Sequence, residues 1–341
     1  VIPTAGGALR GAGRPALACD EIGDVGEVDA GLPALLLLHA FPLSRRMWRP
    51  QLAGLADCCR VLAPDLPGFG ESPPATAAAG AASAGGVTSG SAAADGSGEG
   101  EGAAAGGSGE VEGEGAAAGG SAAATVAVCG MEDMAAATVA VLDALGIAAA
   151  VVCGLSMGGY VALALYERFR ERVRGLVLAD TRASADDEAA RRRRLESAAE
   201  VESHGSAALV DTLLPRLIAP RTLTTRPELV AWLRQEIATA PAAGVAAALR
   251  GMAARPDRSP LLPRIAVPAL IVCGEEDEFS PPAEGRRLSE QIPGARLAII
   301  PAAGHLSNLE QPELFNRELR DFLGGFGAAA RGTANLRGSG G

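Results

Sequence analysis

Lysine is missing from this chain: all 30 basic residues are arginine, set against 40 acidic ones for a formal net charge of −10. Binding a nucleic acid requires a basic surface that neutralises phosphates, so this balance excludes a polyanion partner. Aromatic residues make up 3% of the chain although 48% of it is apolar, and much of the apolar share is alanine lying outside any plausible core. No apolar stretch reaches the roughly 18 residues of a membrane span, and the N-terminal segment has no charged run followed by an apolar one. Neither a membrane segment nor export is therefore expected. The six cysteines (Cys19, Cys58, Cys59, Cys129, Cys153 and Cys273) show neither C-x-x-C spacing nor a regular framework. Several sit in apolar runs, where cysteine behaves as a small hydrophobe, and the pattern fits a reducing, cytoplasmic setting.

What is present suffices for a buried core in one large domain or two. Residues 75–128 are nearly all Ala, Gly, Ser, Glu, Thr and Val, with several acids and no base. Such a composition cannot offset the entropy of ordering, so the segment is read as a disordered insertion, and residues 326–341, similar in character, as a frayed tail. Elsewhere short β-rich apolar runs alternate with helical patterns, which predicts an α/β fold: a mostly parallel central sheet flanked by crossover helices. Strands are predicted at 34–39, 60–64, 150–154, 173–179, 269–273 and 296–300, and helices at 47–56, 131–145, 157–169, 283–291 and 308–322. Between the fourth and fifth of these strands about 90 residues carry helical patterning, too many for a simple crossover. Residues 185–255 are expected to form a helical cap over the C-terminal edge of the sheet, where open α/β folds bind ligands. Residues 1–74, 129–184 and 256–325 are left as the core.

The strongest chemical signal is Gly154-Leu155-Ser156-Met157-Gly158-Gly159, after an apolar strand and before a helical run. A nucleophile elbow needs that context, because the serine sits on a strained strand-to-helix turn and flanking glycines let backbone pass without Cβ clashes. In a glycine-rich chain an incidental serine in a turn gives the same letters, but this one occurs outside the glycine-rich tracts. A serine hydroxyl is a poor nucleophile unless a base takes its proton. Of three histidines, His39 ends a strand and His204 lies in the expected cap without a motif. His305 follows the last predicted strand, where a loop can return an imidazole over the sheet edge, and is the candidate base.

The orienting acid is expected after a strand between the two. Gly274-Glu275-Glu276-Asp277-Glu278 supplies it directly after the 269–273 run, with Asp277 preferred and Asp180, at the end of the preceding strand, as its rival. An oxyanion hole takes one N–H from the residue after the nucleophile, Met157, and one from the loop after an early strand, where His39-Ala40-Phe41-Pro42 offers Phe41. His39 is read as holding that loop by a hydrogen bond. The run from Pro64 to Ser72 is glycine-rich but lacks G-x-G-x-x-G and a P-loop lysine, so it is read as a packed turn rather than a nucleotide site.

In order, His39-Ala40-Phe41-Pro42, Asp65-Leu66-Pro67-Gly68-Phe69-Gly70-Glu71-Ser72, the serine motif, Gly274-Glu275-Glu276-Asp277 and Gly304-His305 resemble the signature loops of the α/β-hydrolase superfamily. Within it the chain looks most like the small capped hydrolases around 3-oxoadipate enol-lactonase, with carboxylesterases close by. The resemblance implies attack by Ser156 on an ester or lactone carbonyl, an oxyanion held by Phe41 and Met157, and deacylation by water activated by His305. It implies no cofactor, no metal, and a small-molecule ester or lactone as partner. Two departures stand out: Ala40 replaces a glycine common in relatives, leaving the N–H donors intact, and residues 75–128 have no counterpart.

An enol-lactone of that kind carries a carboxylate, for which Arg45, Arg46 and Arg182 are candidate partners, with surface arginine as the default alternative. Three functions follow for testing. The first is an esterase or lactonase. The second uses the same triad for carbon–carbon bond hydrolysis or cofactor-free perhydrolysis. The third is a non-catalytic binding protein with the acidic insertion as its contact segment.

Overall fold

A computed structural model describes residues 17–23, 33–74 and 127–338, with side chains described as far as Phe326. The insertion expected at 75–128 falls, but for its last two residues, outside the described residues, as do positions 339–341.

Among the described residues seven strands form one sheet: β1 (Cys19–Ile22), β2 (Ala34–Leu38), β3 (Val61–Pro64), β4 (Ala150–Leu155), β5 (Val173–Ala179), β6 (Ala269–Gly274) and β7 (Arg296–Ile300). Their order across the sheet is β1-β3-β2-β4-β5-β6-β7, with β1 antiparallel to β3 and every other pair parallel. β4 and β6 are buried along their whole length. That is why they read as continuous apolar runs rather than alternating ones, as strands covered on both faces must. β1 is the strand that patterning misses: Cys-Asp-Glu-Ile is short, half-buried and carries two acids, and it is placed by pairing with β3 rather than by its own pattern.

The helices are α1 (Arg49–Leu55), α2 (Met131–Ala144), α3 (Met157–Arg168), α4 (Glu188–His204), α5 (Val210–Leu217), α6 (Pro220–Thr225), α7 (Pro227–Thr239), α8 (Ala242–Ala254), α9 (Pro282–Gln291), α10 (Ser307–Glu310) and α11 (Pro312–Gly338). α4 to α8 fill the long interval between β5 and β6. The helix predicted at 308–322 is two helices. Pro312 disfavours helical backbone in the residue before it, and Gln311 accordingly takes φ −133° and ψ 61°, breaking the run. α11 then continues to Gly338, so the backbone beyond Phe326 is helical where composition predicts a frayed end, consistent with the high helix propensity of its alanines and arginines. Among the described residues no single helix is long and apolar enough to cross a membrane. The pair α7 and α8 passes that test only when joined across a 90° bend.

Candidate active site

Parallel strands all end on one edge of the sheet, and the loops leaving β4, β6 and β7 there each bring one polar side chain to the same point. Ser156 follows β4 with φ 56° and ψ −114°, a backbone region that side chains with a Cβ rarely enter. Its N–H donates to the Ala179 carbonyl at 2.9 Å, and its own carbonyl accepts from Thr181 Oγ1 at 2.8 Å and Gly159 N at 2.9 Å. The turn also needs its glycines. A Cβ on Gly154 would lie 2.1 Å from the Gly158 carbonyl oxygen, and one on Gly158 would lie 2.1 Å from that of Leu38.

His305, on the loop after β7, places Nε2 2.7 Å from Ser156 Oγ and Nδ1 2.9 Å from both carboxylate oxygens of Asp277. Asp277 Oδ1 also accepts from the amides of Phe279 (2.8 Å) and Ser280 (2.9 Å), which fix the carboxylate's rotation. A carboxylate only accepts, so the Nδ1 proton belongs to the bond with Asp277, and Nε2 is left to accept from the serine hydroxyl. Asp277 and His305 are 4% and 3% exposed, which keeps water from competing for these bonds.

Asp180 lies beside this group with no hydrogen bond to the histidine among the described residues. It sits at φ 47° just after β5, and its oxygens accept from Gly274 N at 2.7 Å and from Ser307 Oγ. Complete burial pushes its carboxyl well above the usual range, and the nearby charge of Asp277 pushes it further. Cys273 Sγ is within 4.8 Å of oxygens of both aspartates. Burial, then the two carboxylates, push that thiol up, so it stays protonated and donates to the Ser280 carbonyl at 3.3 Å.

The Phe41 and Met157 amides have no hydrogen-bond partner among the described residues. Met157 opens α3, so its N–H lies at the positive end of a helix. The loop that carries Phe41 is held from beneath by His39. Leu66 N donates to His39 Nε2 at 2.9 Å, so the imidazole is neutral and its Nδ1 proton goes to the Ala40 carbonyl at 3.0 Å. Burial lowers the pKa of this histidine, which keeps it in that state. Phe69, from the glycine-rich turn, packs edge-on against both His39 and Phe41.

The three arginines part company. Arg45 is held by Asp20, Asp65 and Glu71, with Asp65 fully buried beneath it. Burial opposes its charge, but these carboxylates outweigh it and raise its pKa. Arg46 pairs with Glu236 of α7 at 2.7 Å, and Ser44 Oγ donates to the other oxygen of that glutamate at 3.2 Å. These contacts cross a cleft between α7 and the loop that carries Phe41, lined by Pro42 to Arg46, Gly70, Glu71 and Thr239 to Pro241. Arg182 differs. Its Nη2 donates to the Phe279 carbonyl, its Nε is buried without a partner, and the Phe279 ring is 5.0 Å from that of His305. Arg182 thus binds the backbone of the residue whose ring lies beside His305. Sequence reasoning missed Thr181, Ser307 and Glu236, none of which carries a motif.

Residues 33–312 match the model of the family described as alpha/beta hydrolase fold. Over 163 residues the chain is 32% identical to 3-oxoadipate enol-lactonase 2 of Acinetobacter baylyi; the alignment covers 48% of this chain and 59% of that protein. A malate-bound thermophilic esterase from Thermogutta terrifontis superposes with a TM-score of 0.72 at 35% identity, covering 91% of this chain and 93% of that one. The enol-lactonase from Burkholderia xenovorans superposes with a TM-score of 0.69 at 26% identity, covering 90% and 96%.

Proposed function

The chain belongs to the α/β-hydrolase family, and from that premise we propose that it is a serine hydrolase cleaving a carboxylic ester or lactone of a small molecule through an acyl-enzyme on Ser156. The observation that carries this reading is the unbroken chain of short contacts from Ser156 Oγ through His305 to Asp277. His305 Nε2 takes the hydroxyl proton as Oγ attacks the carbonyl carbon, and Asp277 stabilises the imidazolium that forms. The amides of Phe41 and Met157 receive the oxyanion, and each such donor is worth about a hundredfold to a thousandfold in kcat. Collapse of the tetrahedral intermediate passes the proton from Nε2 to the leaving alkoxide. Water, deprotonated by the same nitrogen, then releases the acid.

The finer part of the reading concerns the substrate. Arg45 and Arg46 are engaged by carboxylates of the chain itself, which leaves Arg182 as the cation for a substrate carboxylate. Two similarities support an anionic ester or lactone: the relative named for an enol-lactone and the esterase holding malate, a dicarboxylate. The test is hydrolysis of short p-nitrophenyl esters by the wild type beside Ser156→Ala, with fluorophosphonate labelling of both. Turnover and labelling that vanish together in the variant carry the serine mechanism. A folded wild type that does neither refutes it.

A further inference from the structure

Glu310 is a buried carboxylate held without a cation on its side-chain oxygens among the described residues. It ends α10, shortly after His305, and is 5% exposed. Three uncharged donors satisfy it. Oε1 accepts from Gly304 N at 2.7 Å, while Oε2 accepts from Ala219 N at 2.9 Å and from Thr222 Oγ1 at 2.5 Å. Ala219 and Thr222 belong to the cap, at the start of α6 and within it. Gly304 is the residue before the histidine. One side chain thus joins the cap to the segment that presents the imidazole.

The junction has little slack. A Cβ on Gly304 would lie 2.7 Å from Ala219 N, and Leu306 N donates to the Leu217 carbonyl at 3.0 Å. Arg226 Nη1 donates to the carbonyls of Leu309 (2.8 Å) and Glu310 (3.0 Å), so the cap grips the same turn a second time. On its other side Gly304 abuts the acid loop: a Cβ on Gly274 would lie 2.0 Å from the Gly304 carbonyl oxygen. Moving Gly304 therefore moves His305 relative to Asp277.

We propose that Glu310 is a positioning residue for His305, which sets the imidazole in register with the docked cap by giving Gly304 and the cap donors one shared acceptor. The proposal rests on the serine-hydrolase reading above. Its chemical signature is that glutamine cannot replace the carboxylate. An amide offers one oxygen, so its NH2 must face either Gly304 N–H or Ala219 N–H, and one of those amides loses its acceptor. Displacements of about 1 Å at a reacting group cost on the order of a hundredfold.

The experiment compares the full-length wild type, Glu310→Gln and Thr222→Val. Active sites are titrated with a fluorophosphonate, kcat per titrated site and KM are measured on p-nitrophenyl acetate, and folding is followed by thermal denaturation. Glu310→Gln is expected to lower kcat per titrated site by roughly tenfold to a hundredfold with KM within about threefold. Thr222→Val, which leaves the acceptor of Gly304 in place, is expected to keep kcat within about twofold. A merely structural glutamate would change the melting temperature and the fraction of titratable sites but not kcat per site, and that result overturns the proposal. So does a loss in Thr222→Val equal to that in Glu310→Gln. If Glu310→Gln does not fold, Glu310→Asp, too short to span both donors, decides on the same readout. Absence of labelling in the wild type is a separate result, which sinks the serine-hydrolase reading before any variant is compared.

Discussion

Replacing Asp277 by asparagine removes a charge while keeping the shape, and the surroundings dictate which way the amide must turn. Two backbone donors, Phe279 N and Ser280 N, already point at Oδ1. The amide oxygen must stay there, since turning its NH2 toward them would leave both N–H groups facing a donor in a buried site. The NH2 then faces His305 Nδ1, now 2.9 Å from carboxylate oxygens. A donor at that position favours the tautomer with Nδ1 bare and the ring proton on Nε2, 2.7 Å from Ser156 Oγ. That tautomer cannot take the serine proton. The expected loss in kcat is about 10⁴-fold, the scale seen when a triad acid is amidated with its geometry intact, or roughly 5.4 kcal/mol of barrier. The assay is p-nitrophenyl ester turnover per titrated site at neutral pH, with the fold checked by circular dichroism. A loss below about tenfold would refute the tautomer reasoning. Equal losses in Asp277→Asn and Asp180→Asn would reassign the orienting role.

Three further outcomes follow from the same contacts. Burial and the Asp277 charge raise the carboxyl of Asp180 above its ordinary 3.8, so the native state binds a proton that the unfolded chain releases. Wild-type stability is then fully present below that unfolded value and falls as pH rises through the native one, whereas Asp180→Asn has no such proton to lose. Denaturation curves across that range should show the variant gaining on the wild type with increasing pH, and a constant difference rejects the assignment. Arg182→Ala should raise KM roughly tenfold or more for an ester bearing a carboxylate and leave that for a neutral ester nearly unchanged; equal changes would limit Arg182 to holding the Phe279 loop. Gly158→Ala would set a Cβ 2.1 Å from the Leu38 carbonyl, backbone that cannot rotate away. Overpacking of that kind costs about 1–3 kcal/mol and shifts the elbow, so kcat/KM should drop by on the order of a hundredfold, and wild-type kinetics would show that the turn has room to spare.

The parts of the site legible in sequence are those whose cause is local. A strand feeding a glycine-flanked serine and then a helix is a short-range pattern, since Gly154 and Gly158 are needed for backbone passing within the turn and against the adjacent strand. The loop histidine and acid follow from strand ends, and the β5 and β7 boundaries coincide with their apolar runs. The choice between Asp277 and Asp180 was not fixed by such patterns, because both stand at the ends of neighbouring strands. The difference is which carboxylate the two amides after Asp277 rotate toward the imidazole, and that is a matter of backbone geometry alone.

Charge neutralisation is the part that patterning could not supply. Arg45 stands just beyond the loop that carries Phe41 with no acid beside it in the chain, which is why it reads as a candidate for a substrate carboxylate. Its partners Asp20, Asp65 and Glu71 are 20 to 26 residues away and are brought to it by the pairing of β1 with β3 and the turn after β3. Glu310 shows the converse. In Leu309-Glu310-Gln311-Pro312 it looks like one more exposed acid near a helix start, yet its cap donors lie 88 and 91 residues upstream. A lone arginine in a sequence is thus weak grounds for an anion site, and a lone glutamate weak grounds for a solvated surface. The long helical interval between β5 and β6 acts in the same way on Arg46 and on Glu310, because it brings Glu236 down on the one and Ala219 and Thr222 down on the other.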